Sequence, residues 1–297
     1  MPSSFVPLIS ILLTFTVTLS GCFSYQGKNG LNAPPQESRP LAQTVRDIAY
    51  TPPHWPEVLR SDLYLPQQQG GLHPVVLMVH GGGWSGRSRA DMNGISEKLA
   101  HQGYAVFNIS YRFAPEYTFP AQYHDLQQAM RWLTEYAEVY QLDTSRINAW
   151  GYSSGAHLAA LLASVDAGTQ IANNQGETLP RIRAVVAGGT PTDLRKYSGS
   201  PIIVPFLGGD RDEIPQRYAQ ASPVFHISAD DPPVFLYHGK LDTLVEKEQA
   251  SDYFEALQAA GVESELYLYR FWGHFTMFVF GGDAEDKAID FLNRKNV

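Results

Sequence analysis

Cysteine is almost missing from this chain of 297 residues: Cys22 stands alone. A single thiol excludes an internal disulfide framework and a multi-cysteine zinc site. Positive charge is also short, with 22 Lys and Arg against 30 Asp and Glu and a net charge of −8. No basic stripe is available to displace phosphate counterions, so nucleic acid is not an expected partner. The phosphate-cradling pattern Gly-x-x-x-x-Gly-Lys-Ser/Thr is absent, which removes the P-loop as an explanation for any glycine-rich turn. Long hydrophobic runs are lacking too. The most apolar stretch, residues 5–19, is too short to span a bilayer comfortably.

That stretch is built almost wholly from apolar and hydroxylic residues and leads into Leu19-Ser20-Gly21-Cys22. It reads as a signal peptide over residues 1–21. Leu-Ser-Gly-Cys resembles the bacterial lipobox, whose cysteine is lipidated and becomes the first mature residue. The resemblance implies a lipid anchor on Cys22, and therefore a membrane partner. The chain's one cysteine falls where that motif requires it. Phe23, rather than Asp, follows, which by resemblance to Gram-negative lipoproteins implies forwarding to the outer membrane. Met1-Pro2-Ser3-Ser4 departs from the pattern in having no Lys or Arg. Residues 22–44, with Gly27, Gly30, Pro34 and Pro35, are polar and rich in breakers. They are expected to form a flexible tether ahead of a folded domain over 45–297.

Hydrophobic residues make up 44% of the chain and aromatics 12%, enough for one large α/β domain. Residues 45–50 and 59–65 have the length and apolar content of leading strands, parted by the proline-rich turn Thr51-Pro52-Pro53-His54-Trp55-Pro56. Pro74-Val75-Val76-Leu77-Met78-Val79 is a continuous run of the kind buried on both faces of a parallel sheet. It ends in His80-Gly81-Gly82-Gly83-Trp84, whose bare peptide N–H groups a ligand oxygen can approach without meeting a side chain. Helix 91–101, strand 104–109, helix 123–140 and strand 146–150 follow. Such alternation predicts a mostly parallel, doubly wound sheet of about eight strands with helices on both faces. Residues 190–231 lack periodicity, and an irregular segment that long inside a compact domain predicts a cover over the substrate side.

Strand 146–150 runs directly into Gly151-Tyr152-Ser153-Ser154-Gly155 and a helix of small residues. This is the nucleophile-elbow pattern, which sets Ser153 on a sharp strand-to-helix turn. Alone it is weak, because a random chain of this length contains Gly-x-Ser-x-Gly about one time in ten. Its companions give it weight. Tyr111-Arg112-x-Ala114-Pro115, Phe119-Pro120-Ala121 and Ala221-Ser222-Pro223 flank it in order. Together with His80 to Trp84, these motifs resemble α/β-hydrolases of the esterase/lipase group, near the hormone-sensitive-lipase-like enzymes and closer to the bacterial feruloyl/acetyl-xylan esterase-like branch. The resemblance covers about residues 45–297. It implies the α/β-hydrolase fold, an oxyanion hole from Gly81, Gly82 and Ser154, and a structural place for Asp125.

In this fold the catalytic acid and then the base follow the serine in chain order. A strand at 233–237 precedes His238-Gly239-Lys240-Leu241-Asp242, and a last strand at 263–270 precedes Phe271-Trp272-Gly273-His274. Asp242 and His274 each stand just past a strand's carboxyl end, where sites of open α/β sheets collect. Asp230 and Asp231 precede the strand, and Glu246 and Glu248 fall in the next helix. His157 is placed under the elbow. The expected catalytic set is thus Ser153, Asp242 and His274, with no metal and no organic cofactor called for. The expected activity is hydrolysis of short acyl or aryl esters, small molecules, by a serine nucleophile. Two other readings stay open: an arylformamidase or other amidase, since His80 to Trp84 also fits a His-Gly-Gly-x-Trp loop, and a non-catalytic envelope lipoprotein. The sequence carries no signal of oligomeric state.

Overall fold

The structure, a computed structural model, describes residues 23–27, 41–67, 70–166, 168–169, 171 and 178–296. Residues 1–21, expected to form a signal peptide, and Cys22 lie outside the described residues. The strands are β1 (Phe23–Gln26), β2 (Leu41–Ala49), β3 (Arg60–Pro66), β4 (His73–Val79), β5 (Ala105–Ile109), β6 (Leu142–Tyr152), β7 (Ile182–Gly188), β8 (Val234–Gly239) and β9 (Ser264–Tyr269). The helices are α1 (Asn93–His101), α2 (Ala121–Glu135), α3 (Ala137–Tyr140), α4 (Ser154–Ser164), α5 (Ile203–Leu207), α6 (Pro215–Gln220), α7 (Lys247–Ala259), α8 (His274–Phe280) and α9 (Gly282–Lys295).

Among the described residues, all nine strands join one sheet in the order β1-β9-β8-β7-β6-β4-β5-β3-β2. β4 to β9 run parallel, while β1, β2 and β3 are antiparallel to their neighbours. The hydrophobic run of β4 shows why the centre is parallel: Val75, Leu77 and Val79 enter one core while Val76 and Met78 enter the other, all fully buried. Each such side chain contributes about 1.5–3 kcal/mol. Leu126, Met130 and Leu133 of α2, Leu158 and Leu161 of α4, and Tyr253 and Leu257 of α7 cover the first face at helical spacing. Leu99 of α1, Met277 of α8, and Ile289 and Leu292 of α9 cover the second. Among the described residues, no helix is long and apolar enough to cross a membrane.

Three expectations need correction. Among the described residues the sheet has nine strands rather than about eight. The extra one is β1, inside the stretch read as a tether, where Phe23 pairs with Tyr269 and Gln26 with Leu266. β2 likewise begins at Leu41, so strand structure bounds that stretch at both ends. The segment 190–231 is not wholly irregular either. It holds α5, α6 and two single 3₁₀ turns, Leu194–Lys196 and Pro223–Phe225, which are too short to show a period.

The chain runs from β4 out to β5 on one side and then crosses to β6 on the other side of β4. Where the winding reverses, the loops leaving neighbouring strands part and open a crevice beyond their carboxyl ends. The loops in question are His80 to Trp84 and the elbow at Ser153.

Candidate active site

Ser153 adopts φ 54° and ψ −123° between β6 and α4, a conformation that non-glycine residues rarely take. Its amide donates to the Gly188 carbonyl at 2.7 Å, and its carbonyl accepts from the His157 amide at 3.0 Å. The flanking glycines are steric requirements. A Cβ at Gly151 would lie 2.3 Å from the Gly155 carbonyl carbon, and one at Gly155 would lie 2.2 Å from the Val79 oxygen. The elbow thus packs backbone against backbone, and α4 starts at once with its free N–H groups beside the serine.

The three residues from three strand ends meet here. His274 Nδ1 lies 2.6 Å from Asp242 Oδ2, and His274 Nε2 lies 2.9 Å from Ser153 Oγ. A carboxylate can only accept, so Nδ1 carries the proton and the lone pair on Nε2 faces the serine hydroxyl. Asp242 Oδ1 accepts from the amides of Leu244 and Val245 at 3.0 and 2.8 Å. His238 adds a partner that the sequence does not reveal. Its Nε2 donates to the Val245 carbonyl at 2.8 Å and stands 3.3 Å from Asp242 Oδ2. Burial pushes the Asp242 carboxyl up, but hydrogen bonds from His238, His274 and the Val245 amide together hold it well below the usual carboxylate range. The acid therefore stays ionised, as an orienting group for the imidazole must. Tyr152 donates to the His274 carbonyl at 2.6 Å and fixes the start of α8.

The glycine loop lies against the elbow: a Cβ at Gly81 would sit 3.4 Å from Ser153 Cβ. Gly82, at φ 123°, folds so tightly over Gly86 that a Cβ there would come within 2.1 Å of the Gly86 oxygen. Gly81, Gly83 and Gly86 also carry the Gly-x-Gly-x-x-Gly spacing of a dinucleotide loop. That motif needs a helix opening at the loop, whereas here α1 begins only at Asn93. Two buried networks hold the loop. Trp84 Nε1 donates to His157 Nδ1 at 3.2 Å, and His157 Nε2 donates to the Ala221 carbonyl at 2.6 Å. Phe206 of α5 stacks on Trp84 with centroids 4.2 Å apart. Burial pulls His157 down to about 4, so it is neutral at pH 7. On the other side, Tyr111 donates to the His80 carbonyl at 3.0 Å, and burial holds its phenol protonated.

Asp125 has the structural place the resemblance implies. It is fully buried and binds the Arg112 amide at 2.9 Å, the Arg112 guanidinium at 2.8 Å and the Trp55 indole at 2.8 Å, joining Phe-Pro-Ala to Tyr-Arg-x-Ala-Pro. A cavity of about 410 Å³ opens beside Ser153, lined by Gly81 to Ser85, Ser154 and His274. Ile202, Ile203, Leu244, Phe275 and Phe278 make its apolar walls, so the segment 190–231 does supply part of the lining. Among the described residues, no three His, Cys, Asp or Glu side chains stand close enough to share a metal ion.

Residues 61–257 match the BD-FAE family. A probable carboxylic ester hydrolase, LipM of Mycobacterium tuberculosis, is 30% identical over 66% of this chain and 48% of its own length. Carboxylesterase NlhH of the same organism is 28% identical over 88% of this chain and 85% of its own. The chain spans about half the length of LipM and of the other curated relatives that head the comparison. Among solved structures, a truncated carbohydrate esterase from gut microbiota superposes with a TM-score of 0.77 at 23% identity, covering 89% of this chain and 99% of that one. A bifunctional GH43-CE protein of Bacteroides eggerthii reaches 0.76 at 27% identity over 86% of this chain and 38% of its own.

Proposed function

Because the chain belongs to the BD-FAE family, with the α/β-hydrolase fold, we propose that it is a serine carboxylic ester hydrolase cleaving short acyl or aryl esters through an acyl-enzyme. One observation carries the reading: an unbroken relay from the Ser153 hydroxyl through His274 to an ionised Asp242, opening into an apolar cavity. Relatives that are carboxylic ester hydrolases support it. So does the cavity volume of about 410 Å³, at the small end of the range for ligand pockets.

The steps follow from the groups present. His274 Nε2 takes the Ser153 proton as Oγ bonds to the ester carbonyl carbon. Amides of Gly81, Gly82 and Ser154 receive the negative charge that collects on the carbonyl oxygen. Asp242 stabilises the imidazolium, which then gives its proton to the departing alkoxide as the C–O bond breaks. Water enters in the alcohol's place, His274 removes its proton, and collapse of the second tetrahedral species returns that proton to Ser153 and frees the acid.

A fluorophosphonate probe together with a p-nitrophenyl ester series tests this. Wild type labels and turns over, while Ser153→Ala loses the label and at least ~10⁴-fold in kcat. Inertness toward every ester with turnover of N-formylkynurenine would move the site to the arylformamidase reading, and failure to label would favour a binding protein. We also propose that Cys22 bears a lipid anchor in the outer membrane. The support is the Leu-Ser-Gly-Cys sequence, and palmitate labelling that vanishes in Cys22→Ala is the check.

A further inference from the structure

The rim beside the cavity is apolar where a soluble surface would be polar. α8 turns His274 and Met277 inward, yet outward it presents Phe275 at 74%, Val279 at 64% and Phe280 at 66% exposure, with Thr276 as its only polar outer residue. Phe271 at 62% and Leu241 at 59% continue the patch. Trp272 joins them, with its ring 5.9 Å from that of Phe280 and its carbonyl accepting from the Leu241 amide at 2.9 Å. Single exposed hydrophobics need no explanation, but a contiguous set bordering a cavity mouth does.

β1 indicates what covers it. Phe23 pairs with Tyr269, only two residues before Phe271, and runs antiparallel to β9. The chain therefore enters the sheet at the carboxyl end of the parallel strands, the rim that carries Ser153. Phe23 packs on the same face of the sheet as Trp272 and Phe278. The Cα of Cys22 is one peptide, ~3.8 Å, from that of Phe23. A lipid on Cys22 would thus enter its bilayer next to the patch, with no slack to let the domain turn away. Arg270 lies over the Phe271 ring at 5.3 Å and offers a cation at the same edge.

We infer, resting on the proposed anchor, that Phe271, Trp272, Phe275, Val279 and Phe280 dock on the surface of the lipid bilayer to which the chain is tethered and turn the cavity mouth toward it. Substrates would then be amphiphilic esters that reach Ser153 from the interface. The net charge of −8 opposes anionic surfaces, so the attraction is apolar and is measured on phosphatidylcholine.

The mature lipoprotein is reconstituted in phosphatidylcholine vesicles with brominated acyl chains, and Trp272 quenching is taken as the difference between wild type and Trp272→Phe. Docking a few ångströms into the headgroup region predicts at least about twofold quenching of Trp272, and its loss in the triple variant Phe271→Asp, Val279→Asp, Phe280→Asp. None of those three residues lines the cavity, so turnover of a soluble ester by the triple variant stays near wild type and reports that it is folded. Unquenched Trp272 in a palmitate-labelled chain overturns the docking and leaves the anchor standing. If no lipid is found on Cys22, the anchor reading fails, and flotation of the same chains with vesicles decides the patch. Flotation of wild type but not of the triple variant supports docking, and flotation of neither overturns it. A dimer that the triple variant loses, without quenching, assigns the patch to a second copy and also overturns it.

Discussion

His157 offers a measurement in which one buried proton site is read against pH. The imidazole sits under the elbow, takes a hydrogen bond from Trp84 and gives one to Ala221, so a second ring proton would displace the Trp84 indole. Burial lowers its pKa to about 4, against 6.5 in an unfolded chain. The unfolded chain therefore holds a proton that the folded chain refuses between those values. Stability contributed by this residue is complete above pH 6.5 and is lost as pH falls toward 4, at up to about 1.4 kcal/mol per pH unit and about 3 kcal/mol in all. His80, also lowered by burial to about 4, adds a loss of the same sign. Asp231, raised by burial to about 6, works the other way: the folded chain keeps its proton where the unfolded chain has released it. The difference between two proteins isolates His157. Glutamine has a carbonyl oxygen to accept from Trp84 and an amide N–H to donate to the Ala221 carbonyl, and it does not titrate. Urea unfolding of wild type and His157→Gln between pH 4 and 7.5 should give curves that differ in slope by about 1.4 kcal/mol per pH unit below pH 6.5 and run parallel above it. Curves offset by a constant over the whole range would refute a neutral, proton-refusing His157.

Two further substitutions test the geometry. Asp242→Asn puts an amide where only an acceptor suits His274 Nδ1. The ring should turn its N–H toward Ser153, and kcat on a p-nitrophenyl ester should fall by roughly 10⁴ with the fold intact by circular dichroism. Gly155→Ala sets a Cβ 2.2 Å from the Val79 oxygen and 2.5 Å from that of His80. Neither backbone can retreat without breaking the β4–β6 ladder, so thermal unfolding should show a loss of ~3 kcal/mol or more.

The meeting of Ser153, Asp242 and His274 was legible because each stands at the carboxyl end of a strand whose apolar run is conspicuous, and because chain order limits the choice among nine histidines. The same logic located β4, β5, β8 and β9 to within a residue or two, since strands buried on both faces need no alternation to be seen. β1 was not legible. Phe23–Gln26 is four residues long and is ordered by pairing with Leu266 to Tyr269 near the far end of the chain, and no local period reports such a partner. His238 was hidden for a similar reason: its contact with Asp242 depends on the turn after β8, whereas in the sequence it stands only as the residue that follows the apolar run 233–237. The helices of the segment 190–231 contain five and six residues, below the length at which a 3.6-residue repeat can be recognised.

Ser153 leaves β6, while Asp242 and His274 follow β8 and β9, and β7 lies between the two groups in the sheet. Every pairing that spans this gap joins distant parts of the chain, as in Trp150 with Val186 or Ala187 with Leu236, and such contacts form slowly. A newly made or partly denatured chain thus carries Ser153 without His274 beside it. During refolding, the esterolysis proposed for this site would return only when the last of these strands is seated, later than any signal from helix content.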